Sequence, residues 1–239
     1  MFCRRIGSFK GGLWGGILER ANSIEGSALP GQIVHGSVDG YNALSAEADG
    51  FRANVYGLLA RLLTEPPSEE TMQIVRDLDG TDDGTEICKA LANLGSVAVR
   101  TPIGKAEEEY TSLFYGHGAG GEVHPYASFY LTGFIYEKPL AEIRADLSEI
   151  GVEPTGRNSE PEDHIAFLFE VMHGLVTGGF GGVPDLARQR VFFTKHLAPW
   201  AGLMFKDLEA ASSAALYMPV GALGRLFLAV EAEAFEMAA

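Results

Sequence analysis

The strongest constraint on the fold is a succession of apolar stripes at helical spacing, each cut off by proline or glycine. Over 161–176, Ile165, Leu168, Phe169, Met172 and Val176 recur every three or four residues, which puts them on one helical face. Phe51, Val55, Leu58, Leu59, Leu62 and Leu63 do the same ahead of Pro66-Pro67, where that helix must end. The pattern predicts further helices over 68–77, 85–97, 103–114, 138–149, 186–196, 200–211 and 219–235. Alternating strand patterns are scarce and no repeat is visible. Such a chain can bury its stripes only by packing helix on helix. The expected fold class is therefore all-α, a single compact helical bundle domain over 46–239. Residues 1–45 show little periodicity, are Gly-rich at their start and carry Arg4, Arg5 and Lys10. They read as a flexible, poorly ordered N-terminal extension.

Composition narrows the partner. Asp and Glu number 32 against 18 Lys and Arg, a formal charge of −14. Such a surface repels nucleic-acid phosphates and favours a neutral or basic partner, although acidity also serves solubility. Cys3 and Cys88 form neither a disulfide framework nor a zinc spacing, which suits a reducing, cytoplasmic setting. No stretch approaches the roughly 18 uninterrupted apolar residues of a membrane helix, so stable membrane insertion is not expected.

The candidate chemical motifs each have a plain structural reading. Gly116-His117-Gly118-Ala119-Gly120-Gly121 matches G-x-G-x-x-G, but helix rather than strand precedes it, and a helix connection is preferred to a nucleotide loop. Glu170 and His173 form one Glu-x-x-His, whereas the carboxylate-bridged di-iron bundles use two. Ser128 lies between aromatics, without a partnered base. No catalytic residue, metal site or cofactor is therefore expected. The alternative is a helical redox or nucleotide-binding enzyme using Glu170 and His173 or the 116–121 loop. Ser159 and Glu162 read as a capping box with Pro161 in the first turn, starting a helix at Pro161 and leaving His164 unexplained. Tyr110, Leu113 and Phe114 have the spacing of a packed helical face. Arg4-Arg5 lacks the following apolar run of an export signal, so export of this chain is not expected.

Taken in order, these segments resemble the TorD/DmsD/NarJ family of redox-enzyme maturation chaperones. The resemblance rests on Glu109, Tyr110, Leu113 and Phe114, then Pro125, Tyr126, Ser128 and Tyr130, then Glu160, Pro161, Asp163 and His164. Phe192-Phe193, His196-Leu197 and Pro199-Trp200 complete it, and it covers about residues 46 to 236. The family's Gly-Pro after the first segment is Gly116-His117 here, and the first proline of its Pro-Pro-Tyr is His124. The resemblance implies a cytoplasmic, non-enzymatic helical chaperone, monomer or domain-swapped dimer. It would bind the twin-arginine leader or the body of a molybdenum-cofactor oxidoreductase before export or assembly. It implies leader contacts at Tyr110, Leu113, Phe114, Pro125, Tyr126, Ser128, Pro161, Asp163 and His164. The physics expected is an aromatic and aliphatic groove for the apolar part of the leader, with Asp163 pairing its arginines.

Overall fold

Ser68 accepts the backbone N–H of Thr71 at 3.2 Å, and Thr85 that of Cys88 at 3.3 Å. Each hydroxyl satisfies a donor that a helix's first turn leaves open, so these residues start helices where their chemistry predicts. The computed structural model describes residues 38–78, 85–116, 120–152, 160–181 and 185–238. Their helices are α1 (Val38–Thr64), α2 (Glu69–Arg76), α3 (Glu86–Arg100), α4 (Ile103–Tyr110), α5 (Ala127–Thr132), α6 (Lys138–Glu149), α7 (Ile165–Thr177), α8 (Leu186–His196), α9 (Ala201–Ala210) and α10 (Tyr217–Met237). A π-helical turn, Thr111–Tyr115, continues α4 directly. No strand occurs among the described residues, and the fold is all-α.

α1 packs along α7, and α10 lies against α9 and α3. The apolar stripes meet there: Val55, Leu58, Leu59 and Leu62 of α1 and Leu168, Phe169 and Met172 of α7 are fully buried. Tyr56 stands edge-on to Phe169 and Phe227, with ring centroids 5.4 and 4.7 Å away. Its hydroxyl donates to Glu231 at 2.8 Å, and Arg52 donates to both oxygens of that carboxylate at 2.6 and 2.9 Å. Glu231 is 1% exposed, so a hydrogen-bonded ion pair ties α1 to α10 inside the core.

Three sequence expectations are corrected. α1 begins at Val38, inside the stretch assigned to a flexible extension; once a helix is nucleated, adding turns costs little even where no stripe demands them. Residues 1–37 lie outside the described residues, and with them the basic start of the chain. The helix expected from Pro161 begins at Ile165. His164 donates its N–H to Pro161 at 3.0 Å in a turn, and the N–H of Ile165 donates to Pro125 at 2.8 Å, so long-range pairing sets the boundary. Ser159 lies outside the described residues, and Glu162 instead pairs with Arg144 at 2.7 Å. The helix expected over 103–114 stays α-helical only to Tyr110. α5 occupies a stretch between the predicted helices 103–114 and 138–149, where the periodicity indicates none.

Candidate functional site

The motif residues explain how three distant segments come together. Glu109, nearly buried, accepts the backbone N–H groups of Ala215, Leu216 and Tyr217 at 2.7, 3.0 and 2.7 Å. Its carboxylate thus holds the start of α10, where the helix dipole favours negative charge. Tyr110 follows, donating to Leu63 at 3.2 Å while its ring meets Phe114, Tyr115 and Tyr217 at 4.8, 5.9 and 5.9 Å. The π turn carries Leu113 into the core, half-buries Phe114 and leaves Tyr115 exposed. Gly116 closes it at φ +69, a left-handed conformation that favours glycine. A Cβ on Gly121 would lie 2.4 Å from the Leu113 carbonyl, so the returning loop passes too close for any side chain.

That return aligns the second segment with the first: Val123 donates its N–H to Leu113 at 2.9 Å. The second then pairs with the third. Ala127 donates to the Asp163 carbonyl at 3.0 Å and Ile165 to the Pro125 carbonyl at 2.8 Å, around an antiparallel bridge between Tyr126 and His164. Asp163 is 0% exposed, and its Oδ2 accepts the N–H of Ser128 at 2.9 Å at the start of α5. His164 caps α7, its Nδ1 accepting the N–H of Ala166 at 3.2 Å. Burial lowers the His164 pKa to about 4 and keeps that nitrogen unprotonated.

The residues expected at the site therefore separate into two sets. Tyr110, Leu113, Pro125, Ser128, Pro161, Asp163 and His164 are buried; Phe114 and Tyr126 are partly open to solvent. The Tyr126 ring crosses that of His164 at 5.2 Å, and its hydroxyl donates to Glu160 at 2.6 Å. Burial raises the Tyr126 pKa well above its ordinary value; the hydrogen bond to Glu160, the charge of that carboxylate, Tyr115 and Tyr136 add to the effect. Tyr110 is raised the same way, by burial first and then by Tyr115, Glu160 and Tyr126. Tyr110, Tyr115, Tyr126, Tyr136 and Glu160 thus form one neighbourhood of phenol side chains around a single carboxylate. It offers aromatic surface and one anionic acceptor, which suits a ligand that is apolar in part and cationic in part.

Tyr115, Tyr136 and the role of Glu160 were not anticipated from sequence. Tyr115 falls one residue past the apparent helical face, and only the π turn brings it round. The later segment is core: Tyr130 stacks on Trp200 at 5.6 Å and donates to Asp207, while His196 meets Asp146 at 2.6 Å. The alternative centres fare differently. Burial raises the Glu170 carboxyl to about 7 and lowers the His173 pKa. No group of three or more metal-ligating side chains occurs among the described residues. Of the glycine loop, 117–119 lie outside the described residues, and a helical turn ending at Tyr115 precedes Gly116.

Residues 81–206, just over half of the 239-residue chain, match the family model described as nitrate reductase delta subunit. A solved structure named as a candidate redox enzyme maturation protein from Archaeoglobus fulgidus is 22% identical, with a TM-score of 0.48 over 74% of this chain and 93% of that one. No curated protein matches the sequence.

Proposed function

This chain belongs to the nitrate reductase delta subunit family of redox-enzyme maturation chaperones, and from that premise we propose that it binds the twin-arginine leader of a molybdenum-cofactor oxidoreductase in the cytoplasm. It holds that client until maturation is complete. The observation that carries this reading is the convergence of three motif segments on the Tyr126–Glu160 pair, where aromatic surface and a carboxylate stand together. Tyr126 and Phe114 face the ligand and Glu160 takes an arginine. Tyr110, Leu113, Pro125, Ser128, Pro161, Asp163 and His164 hold that face in shape from beneath, because their side chains are covered. This reassigns the arginine partner from Asp163, which is fully buried with its Oδ2 on the Ser128 N–H, to Glu160. No helix among the described residues is long and apolar enough to cross a membrane.

Isothermal calorimetry with a synthetic twin-arginine peptide tests the reading. Tyr126→Ala and Glu160→Gln should each weaken binding by about 1–4 kcal/mol while circular dichroism stays helical. Undiminished affinity in both variants would overturn the assignment.

A further inference from the structure

Leu131 in the last turn of α5 and Phe134, Ile135 and Tyr136 in the connection to α6 lie within six residues, and all four are exposed; Phe134 is 71% and Tyr136 65% open to solvent. Large apolar side chains concentrated on one short connection are costly to leave in water and mark interaction surfaces. The backbone adds an independent observation. Tyr136 has φ +63 and is the one non-glycine residue with positive φ among the described residues. A bulky residue pays roughly 1–2 kcal/mol in that conformation, where glycine would sit freely. A tyrosine kept there, with its ring in solvent, is explained by what the ring touches rather than by the fold.

The strip is continuous in chain with the site already described, since Leu131 lies on α5, the short helix whose N-cap is Tyr126. Its surroundings are acidic. Glu137 follows directly and is exposed, Glu160 stands at Tyr126, and the one nearby cation in sequence, Lys138, is paired with Glu142 at 3.1 Å. The covered side chains of Tyr110 and Leu113 cannot supply an apolar contact surface to a ligand.

We infer that the 131–136 strip is the docking surface for the apolar helical stretch of a basic peptide, whose arginines lie toward Glu160 and Glu137. The inference rests on the proposed leader-binding function and names the surface that reads the leader's apolar half. Helix-in-groove recognition of this kind uses a few large anchors, here Phe134 and Tyr136, and acidic flanks that orient the peptide.

Fluorescence anisotropy on the full chain tests it with two labelled synthetic peptides. Both carry Arg-Arg; one continues into a leucine–alanine helical stretch, the other into a serine–glycine stretch. The apolar peptide should bind at least about tenfold tighter. Phe134→Ser and Tyr136→Gly should each remove roughly that tenfold for the apolar peptide, and Phe134→Ser should leave the polar one unchanged. Tyr136→Gly also relieves the left-handed backbone, so its melting temperature should hold or rise while its affinity falls. A purely structural role for the tyrosine would move stability instead. Equal binding of both peptides, or undiminished binding by both variants, would overturn the strip assignment and leave the twin-arginine reading standing. Failure of the native chain to bind either peptide would sink the leader-binding reading itself, and this inference with it.

Discussion

The carboxylate of Glu109 accepts the backbone N–H of Tyr217 at 2.7 Å, across 108 positions of sequence, while the Tyr217 hydroxyl donates to Leu62 at 2.8 Å. One acidic side chain on α4 therefore fixes where α10 starts and how its first aromatic enters the core. Glu109→Ala would leave three backbone N–H groups without their acceptor in a largely buried place. We expect a loss of about 2–4 kcal/mol in urea unfolding. A loss below about 1 kcal/mol would mean that water reaches those donors.

The ion pair between α1 and α10 makes a second, sharper prediction. Glu231→Ala leaves the Arg52 guanidinium with the half-exposed Asp49 carboxylate and the Phe235 ring, and the Tyr56 hydroxyl without its acceptor. We expect a cost of about 3 kcal/mol. Because burying charge is itself expensive, the double variant Arg52→Met, Glu231→Leu should recover much of that loss. Equal destabilisation in the single and double variants would show that packing, not the stranded charge, dominates.

His164 gives the fold a pH dependence of definite sign. Its folded pKa, lowered by burial to about 4, lies below the ordinary 6.5, so the folded state binds the proton less readily than the unfolded chain. Its contribution is complete above pH 6.5 and is lost as pH falls from there toward 4, by on the order of 3 kcal/mol. His164→Asn keeps a cap acceptor but does not titrate. Its melting temperature should therefore fall less steeply than the parent's over that window, and parallel curves would exclude His164 as the cause.

Two glycines should respond in opposite directions. Gly121→Ala forces a methyl against the Leu113 carbonyl and should lower the melting temperature by several degrees. Gly104→Ala sits in the first turn of α4 with nothing within 4 Å of the added carbon. It should be neutral or stabilise by up to about 1 kcal/mol. A thermal melt of each decides the matter.

What could be read in the sequence was local. α6 and α8 occupy 138–149 and 186–196 as their stripes and flanking residues indicate. The motif segments around Tyr110, Tyr126 and Asp163 are the ones the fold brings together. The rest depended on partners far along the chain. Ser159 and Glu162 imitate a helix start, but the pairing of Pro125 with Ile165 places the boundary four residues later, and nothing near Pro161 announces it. The charge of Asp163 suggests a partner for a cation; in the fold the residue is buried, with its Oδ2 accepting the Ser128 N–H. The 131–136 strip is hard to read from sequence because its apolar residues follow neither a helical nor a strand period. Four large apolar side chains around Gly133, with Pro139 close behind, were the available signal.

The stacking of Tyr130 on Trp200 gives the molecule an internal gauge. Trp14 is the sequence's other tryptophan, and Trp200 is sealed in the core, with its indole N–H donating to His196. Tyr130 immediately precedes Leu131, so a guest that shifts the neighbouring surface shifts the ring lying on that indole. Emission from Trp200 would then report occupancy in the unlabelled protein, with a Trp14→Phe variant serving to isolate the signal.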